Sequence, residues 1–159
     1  MSNEELIPPY VLEHPFTARV NGVDTQVEQL AVPEIVTVGM MRKIAAGTTM
    51  LFAHELTEAL AGLGPFEAAK LQTPDAIAYT KLVNPLLDAK AEPGFAIPEI
   101  KVFKALLKKI TVDTDRKVEF VAQVLQHSGM KRADIDAMDF RDFAPAMPLV
   151  LELFPGPNS

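Results

Sequence analysis

Alternating apolar and polar positions over residues 15–29 predict a β-hairpin. Asn21–Gly22 lies at its centre, and this dipeptide favours a two-residue type I′ turn because both positions need a positive φ. The pairs expected on the apolar face are Phe16–Val27, Ala18–Thr25 and Val20–Val23, and those on the solvated face are Thr17–Gln26 and Arg19–Asp24. Because an isolated hairpin is only marginally stable in water, the apolar face is expected to pack on helices.

Two amphipathic helices are predicted to begin at Pro33 and Pro98. Proline suits the first helical position, where a backbone N–H has no partner within the helix, and the glutamate that follows each proline complements the helix dipole. After these prolines, apolar residues recur at three- and four-residue spacings: Ile35, Val38, Met41 and Ile44 in the first helix, and Ile100, Phe103, Leu106 or Leu107, and Ile110 in the second.

Two further helices are predicted over roughly 50–61 and 115–128, and each of them ends at a glycine. Gly62 and Gly129 suit the position after a helix, where the backbone adopts a left-handed conformation. Asp113 or Thr114 is expected to cap the start of the second of these helices.

The chain also repeats itself. The stretch AVPEI (31–35) returns as AIPEI (96–100), and residues 62–87 match residues 129–154 at the constant spacing that separates Gly62 from Gly129, which is 67 residues. Matched pairs along this second stretch include Leu63 and Met130, Glu67 and Asp134, Leu71 and Met138, Asp75 and Asp142, and Leu87 and Phe154. Each half is therefore predicted to hold two helices, a short helical turn and a closing helix. Two repeats are too few for an extended solenoid, so a compact arrangement is expected.

The predicted fold class is mainly α with an N-terminal β-hairpin, an α+β protein in which two related helical units pack together. Its predicted parts are an N-terminal arm over 1–14, the hairpin plus the first helical unit over 15–88, a polar linker marked by Pro and Gly over 89–97, and the second helical unit over 98–159.

Composition narrows the function classes. A hydrophobic content of 48% in 159 residues is enough to form a core, whereas a net charge of −6 argues against a basic nucleic-acid-binding face. The chain has no cysteine, which excludes disulfides and cysteine-ligated zinc. No apolar stretch approaches the ~18 residues of a membrane span, and the polar, acidic N-terminus is unlike a signal peptide. These features predict a cytoplasmic protein that does not enter a membrane.

Candidate chemistry is sparse. In HELTE (54–58), Glu58 stands where the second histidine of a zinc-protease helix would stand, so the pair is interpreted as a surface histidine near a solvated glutamate, with metal chelation by His54 and Glu58 from one helix face as the alternative. The acidic run DIDAMDFRD (134–142) lacks the glycine of a calcium loop, and its aspartates are interpreted as helix caps and first-turn charges. Ser128 adjoins His127 but neighbouring helical residues point about 100° apart, so they do not form a nucleophile and base. The sequence predicts no enzyme activity and no cofactor.

Four lysines accompany the second Pro–Glu helix: Lys101, Lys104, Lys108 and Lys109. They are interpreted as its solvated face, with contact to an acidic partner or a membrane surface as the alternative.

Two stretches near the ends resemble the small tail assembly chaperones of Mu-like and P2-like contractile-tailed phages. These stretches are VNGVDTQVEQLAVPEI (20–35), which matches the hairpin and proline entry of that family, and ADIDAMDFRDFAPAMPLVLELFPGPNS (133–159), which matches its closing segment. The chain departs from the family in being about twice as long, with the helical part doubled. It also has Pro145 and Pro148 where the family has a continuous helix; if Asp142 caps this helix, only Pro148 lies in its interior.

The resemblance implies a non-enzymatic chaperone that binds the tape measure protein, and with it the tail tube protein, during tail morphogenesis in the host cytoplasm. No cofactor and no nucleic acid are implied, and a homo-oligomer is left open. The alternative is a small helical adaptor or regulatory protein-binding module of phage or bacterial origin. The residues chosen as candidate partner contacts are Met40, Met41, Phe143, Met147, Leu151 and Phe154, each of which competes with a role in the core.

Overall fold

The structure, a computed structural model, describes residues 7–44, 52–102, 104–112 and 116–154. It is mainly helical with an N-terminal antiparallel hairpin, so the predicted α+β class is confirmed. The strands are β1 (Tyr10–Val20) and β2 (Val23–Leu30), and the helices are α1 (Val38–Lys43), α2 (Phe52–Ala61), α3 (Thr73–Val83), α4 (Lys104–Lys109), α5 (Lys117–His127), α6 (Arg132–Ala137), α7 (Phe140–Phe143) and α8 (Ala146–Leu151). Short 3₁₀ turns cover Glu67–Lys70 and Asn84–Leu86.

The chain forms two compact units. The first comprises the described parts of residues 1–34 and 44–86, and the second comprises the described parts of 35–43 and 87–159. Two limits differ from those predicted: residues 10–14 belong to β1, and α1 belongs to the second unit although it precedes α2 of the first. The reason for the second difference is that α1 packs on α5, α6 and α7.

The predicted hairpin register is confirmed. All five predicted pairs, from Val20–Val23 to Phe16–Val27, are present, and the turn residues Asn21 and Gly22 have φ values of 54° and 80°. Ala18 and Val27 are buried on the first unit's helices, whereas Val23 is 63% exposed near the turn. The apolar face is therefore covered at Ala18 and Val27 but exposed at Val23 near the turn.

The predicted helix starts at Pro33 and Pro98 are wrong, because α1 begins at Val38 and α4 at Lys104. Before α1 the backbone is held extended by a β-bridge between Thr37 and Asp139, which is incompatible with a helix there. Before α4 the segment lacks a buried stripe, as the 41% exposure of Val102 indicates, and short helices depend on such packing.

The predicted helix ends at the two glycines are confirmed. Gly62 and Gly129 have φ values of 74° and 118°. The residue after each glycine donates its N–H to a carbonyl five residues back, Leu63 to Glu58 at 3.0 Å and Met130 to Leu125 at 3.1 Å. The caps Asp113 and Thr114, predicted at the other end of α5, lie outside the described residues.

The closing helix of the second unit is interrupted, and its cap is Asp139 rather than Asp142. The Asp139 carboxylate accepts the N–H of Arg141 at 2.9 Å at the start of α7. Pro145 then lacks the N–H that would bond to the Arg141 carbonyl, so that carbonyl accepts the N–H of Lys90 at 3.1 Å instead. Helix α8 restarts beyond Pro145 and carries Pro148 in its first turn, where a proline is tolerated.

The repeat seen in the sequence extends to the elements. At the 67-residue spacing, the turn Glu67–Lys70 falls on α6, the first residue of α3 falls on the first residue of α7, and the end of α3 falls next to the end of α8. The same spacing relates the two glycine-ended helices α2 and α5 at their C-termini. The two sequence repeats therefore share a glycine-ended helix, a helical turn and a closing helical segment, whereas α1, the first helix of the first repeat, packs in the second unit.

Each unit has its own apolar core. Among the residues that the structure describes, the buried apolar side chains of the first unit are Leu12, Ala18, Val27, Leu30, Leu56, Leu60, Ala68, Tyr79 and Val83. Those of the second unit are Val36, Val38, Met41, Leu106, Phe120, Val121, Ala122, Val124, Leu125, Ile135, Phe140, Phe143, Ala144, Ala146 and Val150.

Candidate functional site

The second unit holds a short helix, α1, together with the extended residues before it. The N–H of Val38 donates to the carbonyl of Met138 at 2.9 Å, and the N–H of Phe140 donates to the carbonyl of Val36 at 2.8 Å. Val36 and Val38 are fully buried. Residues 36–43 therefore pack on the rest of the second unit as a short extended stretch followed by a helix.

A charged cluster fixes the other end of α1. The guanidinium of Arg42 donates to both carboxylate oxygens of Glu119, at 2.8 and 2.9 Å, and to Asp136 at 2.8 Å. Burial alone would raise the pKa of Glu119, but the hydrogen bonds from Arg42 and Gln123 hold that pKa below its ordinary value. The pKa of Arg42 is raised, chiefly by its hydrogen bonds to Glu119. Both shifts favour the charged forms of Arg42 and Glu119, so α1 is held by ion pairing as well as by apolar contact.

The first unit has an open groove at the corresponding place. Its volume is about 450 Å³, and its lining residues are His54, Ala69, Leu71, Thr73, Ala76, Ile77, Thr80 and Lys81. Ala69, Leu71 and Thr73 match Asp136, Met138 and Phe140 at the 67-residue spacing, and those are the residues that contact α1 in the second unit. Ile77 is 51% exposed within this groove. The groove, here called the α3 groove, is thus the first unit's counterpart of the α1-binding surface.

Asp75 anchors the hairpin to α3. Its carboxylate accepts the Tyr10 hydroxyl at 2.8 Å and the backbone N–H groups of Glu13 and His14 at 2.9 and 3.0 Å. These amides lie at the irregularity between Val11 and Phe16, where strand pairing is interrupted. Although burial opposes the charged form, these hydrogen bonds leave the pKa of Asp75 lowered, and the bond to Asp75 raises the pKa of Tyr10 to about 12. Asp75 therefore has a structural role.

Phe66 is presented to solvent in a strained conformation. Its φ is 66°, which is unusual for a bulky residue, and its side chain is 62% exposed. The turn that carries it is tethered to β1, because Gly64 donates its N–H to the Arg19 carbonyl at 2.7 Å and the Glu67 carboxylate accepts the Arg19 N–H at 2.6 Å. Strain of this kind often marks a binding position, so Phe66 is a candidate contact.

Two leucines form an exposed apolar surface at the end of the second unit. Leu149 and Leu153 are four residues apart and are 50% and 44% exposed. The opposite side of the segment is fixed, because Val150 is buried and Phe154 packs edge-on against Phe120 with ring centroids 5.1 Å apart. Leu149 and Leu153, here called the α8 surface, therefore lie on a segment whose other side is packed in the core.

The predicted contact residues divide between core and surface. Phe143 is fully buried and Met41 is 9% exposed, so both serve the core of the second unit. Met40, Met147, Leu151 and Phe154 are half-buried, and the last three flank the α8 surface along the chain. Leu149, Leu153 and Phe66 were not predicted; the four-residue spacing of the two leucines was the available signal.

Glu58 of the HELTE stretch has a structural role. Glu58 is buried, and its carboxylate accepts the N–H of Ala68 at 3.0 Å. Within the described residues, no group of three His, Asp or Glu side chains is placed to hold a metal ion. Beside α4 there is a small hollow of about 220 Å³, lined by Lys101, Leu106, Lys109, His127 and Ser128.

No described helix combines the length and apolar character needed to cross a membrane. No family model matches this chain, and neither a curated protein nor a solved structure shows significant similarity to it.

Proposed function

We propose that this protein is a phage tail assembly chaperone that binds apolar helical stretches of the tape measure protein, and with it tail tube subunits, during tail morphogenesis. The observation that carries the proposal is the α8 surface, where Leu149 and Leu153 project half-exposed from a supported helix end. The resemblance of residues 20–35 and 133–159 to the chaperone family supplies the biological setting.

The α8 surface suits a helical partner. Leucines four residues apart match the spacing of the apolar stripe on an amphipathic helix, which binds through anchors one turn apart. Burying the exposed halves of two leucines contributes about 1.5–3 kcal/mol at ~25 cal/mol per Å². This is the contribution of a modest hot spot, which suits a chaperone that must release its partner as tube subunits assemble.

A tape measure protein has the matching chemistry. A long helical chain that is not yet enclosed exposes apolar stripes, and such stripes aggregate unless another protein covers them. The net charge of −6 gives the chaperone a repulsive surface that keeps the covered complexes apart. Covering and dispersing such a chain requires no bond to be made or broken, and it takes place in the host cytoplasm where the tail assembles.

Co-expression with the tape measure and tube proteins of the same gene cluster tests the proposal. The full chain is expected to co-purify with the tape measure protein. The double variant Leu149→Asp, Leu153→Asp is expected to lose at least about tenfold in binding, which corresponds to ~1.4 kcal/mol.

The matched control is Val11→Asp, Val23→Asp, which places two charges at positions that are 67% and 63% exposed on the hairpin. This control is expected to bind normally. If both double variants bind equally well and their circular dichroism is unchanged, the tape measure protein does not bind through the α8 surface. Capture of neither tail protein by the wild type would contradict the proposed function and favour an adaptor role.

A further inference from the structure

The α3 groove offers two backbone groups that match those used to hold α1. In the second unit, the Met138 carbonyl and the Phe140 N–H bond to the segment that contains α1. Their counterparts in the first unit are the Leu71 carbonyl and the Thr73 N–H. Among the described residues, neither of these groups has a hydrogen-bond partner. The first unit thus presents an acceptor and a donor in the pattern that an extended segment followed by a helix requires.

The sequence repeat identifies the segment that matches α1. Because AVPEI (31–35) returns as AIPEI (96–100), the segment Val36–Lys43 corresponds to Lys101–Lys108. This second segment is poorly covered in its own unit, where Val102 is 41% and Leu107 is 47% exposed. Leu106 is the one buried side chain among the six residues of α4. Few contacts therefore oppose its transfer to another surface.

The contact residues have changed together between the two repeats. In the second unit, Arg42 of the bound segment pairs with Asp136 of the surface at 2.8 Å. At the same positions of the repeat, Leu107 replaces Arg42 and Ala69 replaces Asp136. A charged pair has thus been replaced by an apolar pair on both sides of the contact. The α3 groove would leave an arginine unpaired, whereas it suits the leucine that α4 carries.

We propose that the α3 groove of one copy of this chain binds the segment Lys101–Lys109 of a second copy. Backbone bonds from the second copy reach the Leu71 carbonyl and the Thr73 N–H, and Leu107 lies against Ala69. Within the described residues each copy contributes a groove and a segment, so two copies that exchange their segments fill both grooves in a dimer. Lys104 stands at the repeat position of Gly39, where an added Cβ would lie 3.1 Å from Asp136, so the contact of α4 with the groove must be less close at this position than that of α1.

Disulfide trapping between differently sized copies tests the contact directly, because the natural chain has no cysteine. One preparation carries Ala69→Cys, and a tagged preparation carries Leu107→Cys. Mild oxidation of the mixture is expected to give a cross-linked heterodimer of the two sizes. The control Lys108→Cys, one residue further along α4, is expected to cross-link at least about tenfold less because neighbouring helical residues point about 100° apart.

A charge exchange tests the register. Leu107→Arg alone and Ala69→Asp alone are each expected to weaken the dimer by about tenfold or more in analytical ultracentrifugation, because each leaves an unpaired charge in the contact. Together in one chain they recreate the pair formed by Arg42 and Asp136 and are expected to restore much of the affinity. Both positions are exposed within their own units, so the fold tolerates either change.

The outcomes are distinct. A wild-type dimer that each single change weakens and the double change restores supports the proposal, as does the mixed cross-link. A wild-type chain that stays monomeric at every concentration overturns the proposal. This result also covers the case in which the segment binds the groove of its own chain. A dimer whose affinity is unchanged by both Leu107→Arg and Ala69→Asp also overturns the proposal. None of these results depends on tape measure binding, which the Leu149 and Leu153 variants test separately.

Discussion

Replacing Arg42 by methionine should destabilise the second unit, because this arginine joins α1 to α5 and α6. Its side chain is 6% exposed and pairs with Glu119, which is 17% exposed, and with Asp136, which is 32% exposed. Methionine keeps much of the length and apolar stem of arginine but removes the charge, so two carboxylates lose their main partner.

The magnitude follows from what remains around those carboxylates. Removing one member of a buried ion pair costs about 3–5 kcal/mol. Here Glu119 keeps a hydrogen bond from Gln123 at 2.7 Å, and Asp136 keeps Arg132 at 3.4 Å and some contact with water. We therefore expect a loss of about 2–3 kcal/mol, or a midpoint lowered by about 1–2 M urea for an m-value near 1.5 kcal/mol per M.

Urea denaturation followed by far-ultraviolet circular dichroism measures this loss. The control is Arg19→Met, which removes an exposed pair at 3.4 Å to Asp24 and is expected to cost less than about 0.5 kcal/mol. A double-mutant cycle with Glu119→Gln should give a coupling energy of about 1–2 kcal/mol. If Arg42→Met costs no more than the control, ion pairing does not hold α1 in the second unit.

Three further predictions concern the first unit. Because folding lowers the pKa of Asp75, its contribution to stability is present above the unfolded pKa of about 3.9 and is lost as the pH falls through the lower folded pKa. Tyrosine fluorescence reports the unfolding of this unit, which contains Tyr10 and Tyr79. The urea midpoint measured in this way should decrease as the pH is lowered through that acid range, and it should decrease less steeply in the variant Asp75→Asn. The substitution Asp75→Asn should itself lower the free energy of unfolding by about 1–3 kcal/mol at neutral pH, because a backbone N–H donor then faces the amide donor of asparagine. An unchanged free energy of unfolding would contradict the anchoring role of Asp75. Spectrophotometric titration should show both tyrosines ionising at a pKa of about 12, whereas ionisation near 10 would contradict the contact of Tyr10 with Asp75 and the burial of Tyr79. Gly62→Ala should cost about 1–2 kcal/mol in urea denaturation because φ is 74°, although a Cβ would meet no atom within 4 Å; a neutral result would contradict the strain argument.

The sequence predicted the local features well. The hairpin register follows from the Asn21–Gly22 turn, and the ends of α2 and α5 follow from two glycines with positive φ. Each of these features is decided by a few neighbouring residues. The repeat was also visible, because Gly62 and Gly129 keep their spacing from the elements that follow them.

The features that the sequence did not predict depend on distant contacts. Helix α1 belongs to the second unit because Arg42 meets partners 77 and 94 residues away, and a periodic pattern carries no information about such partners. The extended bridge between Thr37 and Asp139 likewise overrides the helix start expected at Pro33.

The predicted contact residues illustrate the same limit. A continuous helix from Asp142 would place Phe143, Met147 and Leu151 along one face at four-residue spacing. The interruption at Pro145 breaks that face, so Phe143 enters the core while Leu149 and Leu153 project outward. Pro145 indicates an interruption from the sequence alone, but the direction in which the chain continues depends on what α8 packs against.

Hydrogen exchange on this protein alone and on its co-purified complex with the tape measure protein tests the proposed function most directly. The account predicts that the tape measure protein slows exchange over residues 149–154, while the exposed turn at Asn21–Gly22 exchanges equally in both states. Unchanged exchange over 149–154 in a complex that has demonstrably formed would contradict the claim that the α8 surface binds the tape measure protein.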